Sequence, residues 1–375
     1  MQAGRPHRTP RKTLLRKPMT ITMKRLLRNF LPVLLAALAG PAACSSDDDG
    51  PKPPKPTGYD IYAAGYTTPA TKTVATVWKN GETLYTLTDG TNDAWAYAVC
   101  VSGSTVYVAG YEQQGDEIVA KVWENGTLKY TLGSGSADSY AYSVFAANGS
   151  LYTAGSTQTD GALTATVWKN GDVLHAYSVS PAVSQARSIV VSGSDIYAAG
   201  SLQSGFTKPL AVVWKNDKAH YTLTDGESEA GVNALCLSGR TIYAAGHSGN
   251  SATVWKDKDL LYTLTDGSSY AEAMAVCRFE NTLYTAGYYT DTDDFEEVGV
   301  VWKNGQELFD LSDGSGSGSM PYSIAAWYDD VFTAGTLFGT TRTAVVWHGN
   351  DIRYTLSDGT GHSEAYSMYV VPLYN

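Results

Sequence analysis

The residue types with the most chemical potential in this chain are glutamates and aromatic residues that recur about 45 residues apart. One set of seven aligned positions reads Tyr97, Tyr142, Arg187, Asn233, Met274, Tyr322 and Tyr366. A second set, two residues earlier in each case, reads Trp95, Tyr140, Gln185, Gly231, Glu272, Met320 and Glu364. Aromatic rings mixed with a few charged groups are the usual lining of a ligand pocket. Two carboxylates such as Glu272 and Glu364 are also what cleavage of a glycosidic bond requires.

Other catalytic signatures are missing from the sequence. It contains no Gly-x-Ser-x-Gly nucleophile motif, and its six histidines are not spaced as metal ligands. The acidic segment 291–297 is rich enough in oxygen for Ca²⁺, but it lacks the glycine and terminal glutamate of an EF-hand loop. We therefore predict no catalytic residue, no metal site and no cofactor, and we interpret segment 291–297 as a solvated acidic loop.

The elements that must position these residues belong to a sevenfold internal repeat, which is typical of solenoids and propellers. Each copy contains a Val-Trp pair, whose tryptophans are Trp78, Trp123, Trp168, Trp214, Trp255, Trp302 and Trp347. Each pair follows an Ala-Gly step, which ends at Gly65, Gly110, Gly155, Gly200, Gly246, Gly287 and Gly335. A residue that every copy needs is best explained by packing, so we interpret the tryptophans as core rather than as a binding surface.

Each copy holds four short runs rich in Val, Tyr, Thr, Trp and Ile, which predict strands. Asn-Gly separates the third and fourth runs at Asn80, Asn125, Asn170 and Asn304, and this pair favours the type I′ turn of a β-hairpin. Four antiparallel strands in seven copies predict an all-β, seven-bladed β-propeller. The chain enters on a second strand and leaves on a first strand, so we expect 365–371 to pair with 59–66 and close the ring. An open solenoid is the alternative, but it needs capping repeats that are not visible.

The two faces of such a ring differ in how much the copies vary. The turns that join strands 1 and 2 and strands 3 and 4 keep one length throughout, and we call their side the constant face. The loops that join strands 2 and 3 span 13, 13, 13, 14, 9, 15 and 12 residues from glycine to tryptophan. Loops on a rigid scaffold usually carry function, so their side, the variable face, is the candidate working face. Only Arg187 and Arg342 among the later arginines fall on it, which argues against a three-arginine, sialidase-like site.

Several repeated polar residues have a structural interpretation. Five aspartates precede glycine at the end of strand 4, where Asp-Gly is a common turn pair: Asp89, Asp225, Asp266, Asp313 and Asp358. Cys100, Cys236 and Cys277 occupy equivalent positions in three copies, too far apart to be bridged to one another, and we expect them to be buried. His247, Tyr288, Tyr289 and His362 fall in the loops of the variable face and are candidates for its rim.

The N-terminal region reads as a targeting segment. Residues 1–43 hold nine Lys or Arg and no acid, and Met23–Ala43 has the basic start, short apolar stretch and small residues of a signal peptide. We expect translation to begin at Met23. Cys44 follows those small residues and resembles the lipidated cysteine of a bacterial lipobox, although Pro41 departs from the usual aliphatic residue.

Residues 44–58 are predicted to be an extended tether, acidic and then rich in Pro and Lys, ahead of the propeller at 59–375. From Cys44 onward the chain keeps 18 of its 27 basic residues and all 37 acids, so its formal charge is −19. That charge argues against nucleic acid as a partner. We expect a monomer that contacts membrane only through the lipid anchor.

The repeat pattern, Tyr-x-Ala-Gly, Val-Trp-Lys-Asn-Gly and Tyr-Thr-Leu-Thr-Asp-Gly, resembles that of propeller lipoproteins of the Bacteroidetes type, as does Ser-Ser-Asp-Asp-Asp after Cys44. The resemblance implies a lipid-anchored protein of the outer membrane, exposed at the cell surface, and carries over no catalytic residue. We predict a non-catalytic module that binds a glycan or a protein. Its ligand-binding residues would be Trp95, Tyr97, Tyr140, Tyr142, Arg187, Asn233, Glu272, Tyr322, Glu364 and Tyr366. A carbohydrate-active enzyme that uses Glu272 and Glu364 and a structural envelope component are the alternatives.

Overall fold

The computed structural model describes residues 54–133, 136–159, 161–177, 183–205, 207–292, 296–311 and 318–374. The predicted signal peptide, the predicted lipidation site Cys44 and most of the predicted tether lie outside these residues. Within the described ranges, no helix is long and apolar enough to span a membrane.

The described residues form seven four-stranded antiparallel sheets, which confirms the predicted seven-bladed β-propeller. The first three blades take the strands β1 (Gly58–Thr67), β2 (Val74–Lys79), β3 (Glu82–Thr86), β4 (Ala94–Ser102), β5 (Thr105–Gln114), β6 (Glu117–Glu124), β7 (Thr127–Thr131), β8 (Ser139–Ala147), β9 (Ser150–Thr159), β10 (Ala162–Lys169) and β11 (Asp172–Ala176). Blades 4 and 5 take β12 (Val183–Ser192), β13 (Asp195–Gln203), β14 (Leu210–Lys215), β15 (Lys218–Thr222), β16 (Ala230–Ser238), β17 (Thr241–Ser248), β18 (Ser251–Lys256) and β19 (Asp259–Thr263). Blades 6 and 7 and the final strand take β20 (Ala271–Phe279), β21 (Thr282–Thr290), β22 (Glu297–Lys303), β23 (Gln306–Asp310), β24 (Ser319–Trp327), β25 (Asp330–Phe338), β26 (Arg342–His348), β27 (Asp351–Thr355) and β28 (Ser363–Leu373).

The ring closes as predicted. Strand β28 is the first strand of blade 1 and pairs antiparallel with β1, from Gly58 opposite Leu373 to Thr67 opposite Ser363. The pairing runs beyond the predicted 365–371 at both ends. Each first strand also contacts the first strands of the two neighbouring blades all the way round, so the first strands line the centre of the ring. This closure leaves no unpaired edge at the seam, which an open array would expose.

Local chemistry explains why the constant face keeps one length. Asn80 and Gly81 both have positive φ, 51° and 93°, as a type I′ turn requires. The Asn80 side-chain Oδ1 accepts a hydrogen bond from the Ile61 amide at 2.8 Å, which ties the turn to the neighbouring strand. A Cβ on Gly81 would lie 2.8 Å from Cδ1 of Tyr354 in the adjacent blade. The turn is therefore also a packing surface for the strand 4 aromatic residue next door.

The repeated residues hold the blades together, as predicted. All seven Val-Trp tryptophans are at most 3% exposed, and all three cysteines of the propeller are buried. The aspartates at the ends of the outer strands make turns. Asp89 Oδ1 accepts hydrogen bonds from the Thr91 amide and hydroxyl, and Asp225, Asp266 and Asp358 accept the equivalent amide bond. Asp313 lies outside the described residues.

In the part of the chain that the structure describes, one buried ion pair has no counterpart in the other blades. In blade 2, Lys121 of β6 pairs with Glu112 of β5, and the two residues are 6% and 8% exposed. The same two positions in blade 4 hold Val212 and Leu202. The scaffold therefore accepts either a buried ion pair or two apolar side chains at this place between strands 2 and 3.

Candidate functional site

A β-bulge in the first strand of every blade builds the lining of the central channel. In blade 2, Ala96 lies opposite Gly110 and Ala98 lies opposite Ala109, so the pairing register of β4 with β5 skips Tyr97. The same register shift occurs in all seven blades. The skipped residues are those of the first aligned set: Tyr97, Tyr142, Arg187, Asn233, Met274, Tyr322 and Tyr366. A bulge re-aims one side chain, and here it does so seven times around one opening, which we call the channel mouth.

The glycine of each Ala-Gly step makes this bulge possible. A Cβ on Gly110 would lie 1.9 Å from the carbonyl oxygen of Trp95, and the corresponding distances in the other six blades run from 1.7 to 2.2 Å. The carbonyl that the bulge displaces occupies the space of a side chain, so only glycine fits opposite it. The repeated glycine therefore permits the bulge, and the bulge positions the variable residues at the channel mouth.

Tyrosines from blades 1, 2, 3 and 7 form a continuous cluster at one side of the mouth, the tyrosine cluster. The rings of Tyr97 and Tyr366 stack with centroids 4.5 Å apart, and the edges of Tyr142 and Tyr322 meet them at 5.7 and 5.2 Å. The outer members of the cluster are Tyr66, Trp95, Tyr111 and Tyr140. The Tyr111 hydroxyl donates to the Tyr97 hydroxyl at 3.1 Å. Burial, the largest influence, raises the pKa of Tyr142 to about 12 and also raises that of Tyr97, so these hydroxyls are neutral at physiological pH.

Glu364 anchors the tyrosine cluster through hydrogen bonds. It is 2% exposed. Its Oε1 accepts a hydrogen bond from the Tyr66 hydroxyl at 2.9 Å and from the Arg342 guanidinium at 2.5 Å, and its Oε2 accepts one from the Tyr322 hydroxyl at 3.3 Å. A buried carboxylate needs such compensation. Glu364 therefore holds residues of blades 1 and 7 in fixed positions across the seam.

Polar side chains from blades 4, 5 and 6 occupy the other side of the mouth, the polar cluster. Asn233 lies at its centre: its amide nitrogen donates to Glu272 Oε2 at 2.8 Å, and its Oδ1 accepts from Arg187 at 3.2 Å. Tyr270 donates its hydroxyl to the other oxygen of Glu272. His247 Nδ1 lies 4.0 Å from Glu272 Oε2 and has no hydrogen-bond partner among the residues that the structure describes. Burial, the largest influence, lowers the pKa of His247, against the opposing effect of Glu272.

Arg187 is the member of the polar cluster nearest the tyrosine cluster. Burial raises the pKa of Tyr97 and Tyr142 on one side and of Tyr270 and Tyr288 on the other, and the charge of Arg187 partly offsets that rise in all four. The side chain is exposed to solvent. The mouth is thus asymmetric, with an aromatic half and a polar half that holds an exposed guanidinium.

All ten residues predicted as ligand-binding lie at the mouth, in these two groups. Trp95, Tyr97, Tyr140, Tyr142, Tyr322, Glu364 and Tyr366 belong to the tyrosine cluster, and Arg187, Asn233 and Glu272 to the polar cluster. Binding by these residues remains a prediction. Of the four rim candidates, His247 and Tyr288 join the polar side. His362 instead accepts a hydrogen bond from the Arg342 amide, and Tyr289 packs against apolar residues of blades 5 and 6.

Sequence reasoning missed Tyr66, Tyr111 and Tyr270 as members of the mouth. The first two belong to a third aligned set, the residue after each Ala-Gly step, which also varies: Tyr66, Tyr111, Ser156, Ser201, His247, Tyr288 and Thr336. Each lies directly opposite the second aligned set across the ladder, as Tyr66 does to Glu364 and Tyr111 to Trp95. The variation at this third set is visible in the sequence, but placing these residues at the channel mouth requires knowledge of the bulged register.

No metal centre is evident where the structure describes the chain. Across those ranges, no group of three or more His, Cys, Asp or Glu is arranged to hold an ion. The acidic segment 291–297 lies partly outside the described residues, since 293–295 are not among them.

Fold and site together define a seven-bladed propeller with an asymmetric, tyrosine-lined channel mouth. No model of a known protein family matches the chain, and neither does any curated protein. Solved structures do match. An acylaminoacyl peptidase from Pyrococcus horikoshii is 12% identical, with a TM-score of 0.46 over 82% of this chain and 52% of that one. Prolyl oligopeptidase B from Galerina marginata is 11% identical, with a TM-score of 0.40 over 94% and 55%.

A glycosidase propeller is also similar. The GH43 endo-arabinanase from Bacillus licheniformis is 9% identical, with a TM-score of 0.32 over 74% of this chain and 92% of that one. This chain spans about half the length of the two peptidases. At these identities the likeness concerns the fold alone.

Proposed function

We propose that this protein is a non-catalytic binding module that takes its ligand at the channel mouth on the variable face. The observation that supports this most is the contrast between scaffold and mouth. Glycine, tryptophan and turn residues repeat in the blades, whereas the residues that the bulges turn into the channel are Tyr in four blades and Arg, Asn and Met in the other three. Seven equivalent positions that served packing alone would be expected to converge on one residue type, as the tryptophans do.

The chemistry of the mouth suits a glycan better than an apolar partner. Tyrosine rings supply apolar faces, while their hydroxyls, Asn233 and Glu272 supply donors and acceptors for sugar hydroxyl groups. Few polar groups placed among aromatic rings are the usual means of orienting a small ligand. A protein ligand that inserts a polar side chain is the alternative partner.

The two carboxylates are better suited to positioning than to catalysis, which favours binding over the glycosidase or lyase alternative. All the hydrogen bonds described for Glu364 serve to hold Tyr66, Tyr322 and Arg342. Glu272 is likewise engaged by Asn233 and Tyr270. A general acid must deliver a proton to a leaving group within hydrogen-bond reach, and a carboxylate held by three donors is poorly placed to do so.

We also propose that Cys44 carries the lipid that anchors the module at the cell surface. The support is the sequence before and after Cys44 alone. A Cys44→Ser protein should be released from the membrane fraction, since a protein without its acyl chains loses its anchor. Retention of the variant in membranes would contradict the anchor without bearing on the binding site.

The binding proposal is tested with the mature protein on glycan and protein arrays. The double variant Tyr97→Ala/Tyr322→Ala should lose any signal of the wild type, because it removes two of the four tyrosine rings that the bulges turn into the mouth. Tyr374→Ala removes an aromatic residue that is 43% exposed at the other end of β28 and is the matched control. A thermal melt of each variant checks folding. Undiminished binding by the folded double variant would refute the proposal, and polysaccharide turnover abolished by Glu272→Gln would establish the enzyme instead.

A further inference from the structure

Arg187 is the one charged residue among the seven that the bulges turn into the mouth. It is exposed, and its guanidinium donates one hydrogen bond, to Asn233 Oδ1. Among the described residues it has no carboxylate at ion-pair distance. Arg342, by contrast, is paired with Glu364. An arginine has five N–H donors in a planar fork, so most of the donor capacity of Arg187 faces the opening.

Asn233 holds this guanidinium in place. The Asn233 amide nitrogen is committed to Glu272 Oε2 at 2.8 Å and to the Ala273 carbonyl at 3.2 Å, so its oxygen must face Arg187. Glu272, Asn233 and Arg187 therefore form a chain of oriented groups from blade 6 to blade 4. A guanidinium oriented before the ligand arrives loses less side-chain entropy on binding.

The two carboxylates of the channel mouth already have hydrogen-bond partners within the protein. Glu364 is bonded by Arg342, Tyr66 and Tyr322, and Glu272 by Asn233 and Tyr270. Among the described residues of the mouth, Arg187 is the arginine without a carboxylate at ion-pair distance. Because a guanidinium fork matches a carboxylate in bidentate geometry, we infer that Arg187 receives a carboxylate and that the ligand of the mouth is a uronate-containing glycan. This inference rests on the proposed binding role of the mouth.

The surroundings favour a sparsely charged glycan over a polyanion or a peptide. The chain from Cys44 onward has a formal charge of −19, which repels a dense polyanion and leaves Arg187 to act at short range. A uronate combines one carboxylate with hydroxyl groups on the same ring. The same mouth offers the hydroxyls of Tyr97 and Tyr142 as hydrogen-bond partners for those hydroxyl groups.

The test is calorimetric titration of the mature protein with trisaccharides of glucuronate, galacturonate and mannuronate and with the methyl ester of each. The ester keeps the ring and its hydroxyls but removes the charge. A hydrogen bond to a charged group contributes enough that at least one uronate should bind about ten- to hundred-fold more tightly than its ester. Arg187→Gln should abolish that preference, and Arg187→Lys should recover only part of it because the fork is lost. Arg240→Gln, an exposed arginine on the constant face, is the matched control and should behave as wild type.

The outcomes separate the inference from the proposal beneath it. Equal affinity for acid and ester, or a preference for acid that survives Arg187→Gln, overturns the inference and leaves a binding module for neutral glycans. Preference for peptides with a free carboxylate over every uronate overturns the glycan assignment alone. Binding that depends on Arg187 but survives Tyr97→Ala/Tyr322→Ala places the ligand at the polar cluster and contradicts the wider mouth.

Discussion

Replacement of Gly110 by alanine tests the link between the repeated glycine and the channel mouth. The new Cβ would lie 1.9 Å from the Trp95 carbonyl oxygen and 3.0 Å from the Ala96 Cα. Both neighbours are backbone atoms of the bulged strand, so no side-chain rotation relieves the overlap. The bulge must shift or flatten, and Tyr97 then leaves its position between Tyr142 and Tyr366.

The expected cost follows from two contributions. Overpacking in a close-packed interior costs about 1–3 kcal/mol. The ring contacts of Tyr97 with Tyr111, Tyr142 and Tyr366 contribute roughly 0.5–1.5 kcal/mol each and would be weakened. Alanine restricts the unfolded chain more than glycine does, which offsets only about 0.4–1 kcal/mol of this loss of stability. We expect Gly110→Ala to lower the free energy of unfolding by about 3 kcal/mol, the middle of the range these contributions allow.

Equilibrium unfolding in urea, followed by tryptophan fluorescence, measures the loss, and near-ultraviolet circular dichroism reports the tyrosine cluster. Gly58→Ala is the matched control, because the nearest atom to its new Cβ is Leu373 Cδ1 at 3.8 Å, an ordinary contact. The free energy of unfolding of Gly58→Ala should lie within about 0.5 kcal/mol of the wild-type value, as is usual for a substitution that disturbs no special structural feature. A Gly110→Ala protein as stable as the Gly58→Ala control, with an unchanged tyrosine signal, would refute the account of the bulge.

Three further predictions concern the ion pair, the closure and His247. Lys121→Ala leaves Glu112 buried without its cation and should lower the free energy of unfolding, measured in urea, by about 3–5 kcal/mol. Glu112→Leu/Lys121→Val, which introduces the blade 4 residues, should be close to wild type in stability. An equal loss of stability in both variants would contradict this prediction. Deletion of 363–375 removes the innermost strand of blade 1 and should lower the melting temperature sharply, so an unchanged value would argue against closure. Burial lowers the pKa of His247, so the folded state binds a proton less readily than the unfolded chain, and stability falls as the pH drops below about 6.5, the ordinary pKa of histidine. His247→Gln should flatten this part of the pH–stability curve, and parallel curves for the two proteins would contradict it.

Much of the fold could be predicted because each local signal agrees with the global arrangement. The Asn-Gly pairs, the strand periodicity and the order in which strands occur at the two ends all indicate the same closed ring. The register of the first strand could not be predicted. A bulge shifts the pairing of two strands by one residue without changing the spacing of residues along the sequence. The repeated glycine accompanies the bulge, but it is equally compatible with a close approach of two regular strands.

The candidate site could also be predicted only in part from the sequence. The aligned positions placed ten residues around one opening because a repeat brings equivalent positions to equivalent places. The contacts among them depend on pairs far apart in sequence, such as Arg342 with Glu364 and Tyr66 with Glu364. Side-chain direction and burial decide those pairs, and neither follows from repeat spacing. That is why Glu364 appeared in the sequence as a possible acid or base and in the structure as an anchor for its neighbours.

The central claim is that the residues which differ among the blades, at the channel mouth, are those that bind. Hydroxyl-radical footprinting of the mature protein, with and without the tightest ligand from the arrays, tests it most directly. We predict protection of Tyr97, Tyr142 and Tyr322 on binding, with the constant-face Tyr374 unchanged. Protection confined to the constant face or to the outer strands, with the mouth tyrosines oxidised as in the free protein, would contradict the claim.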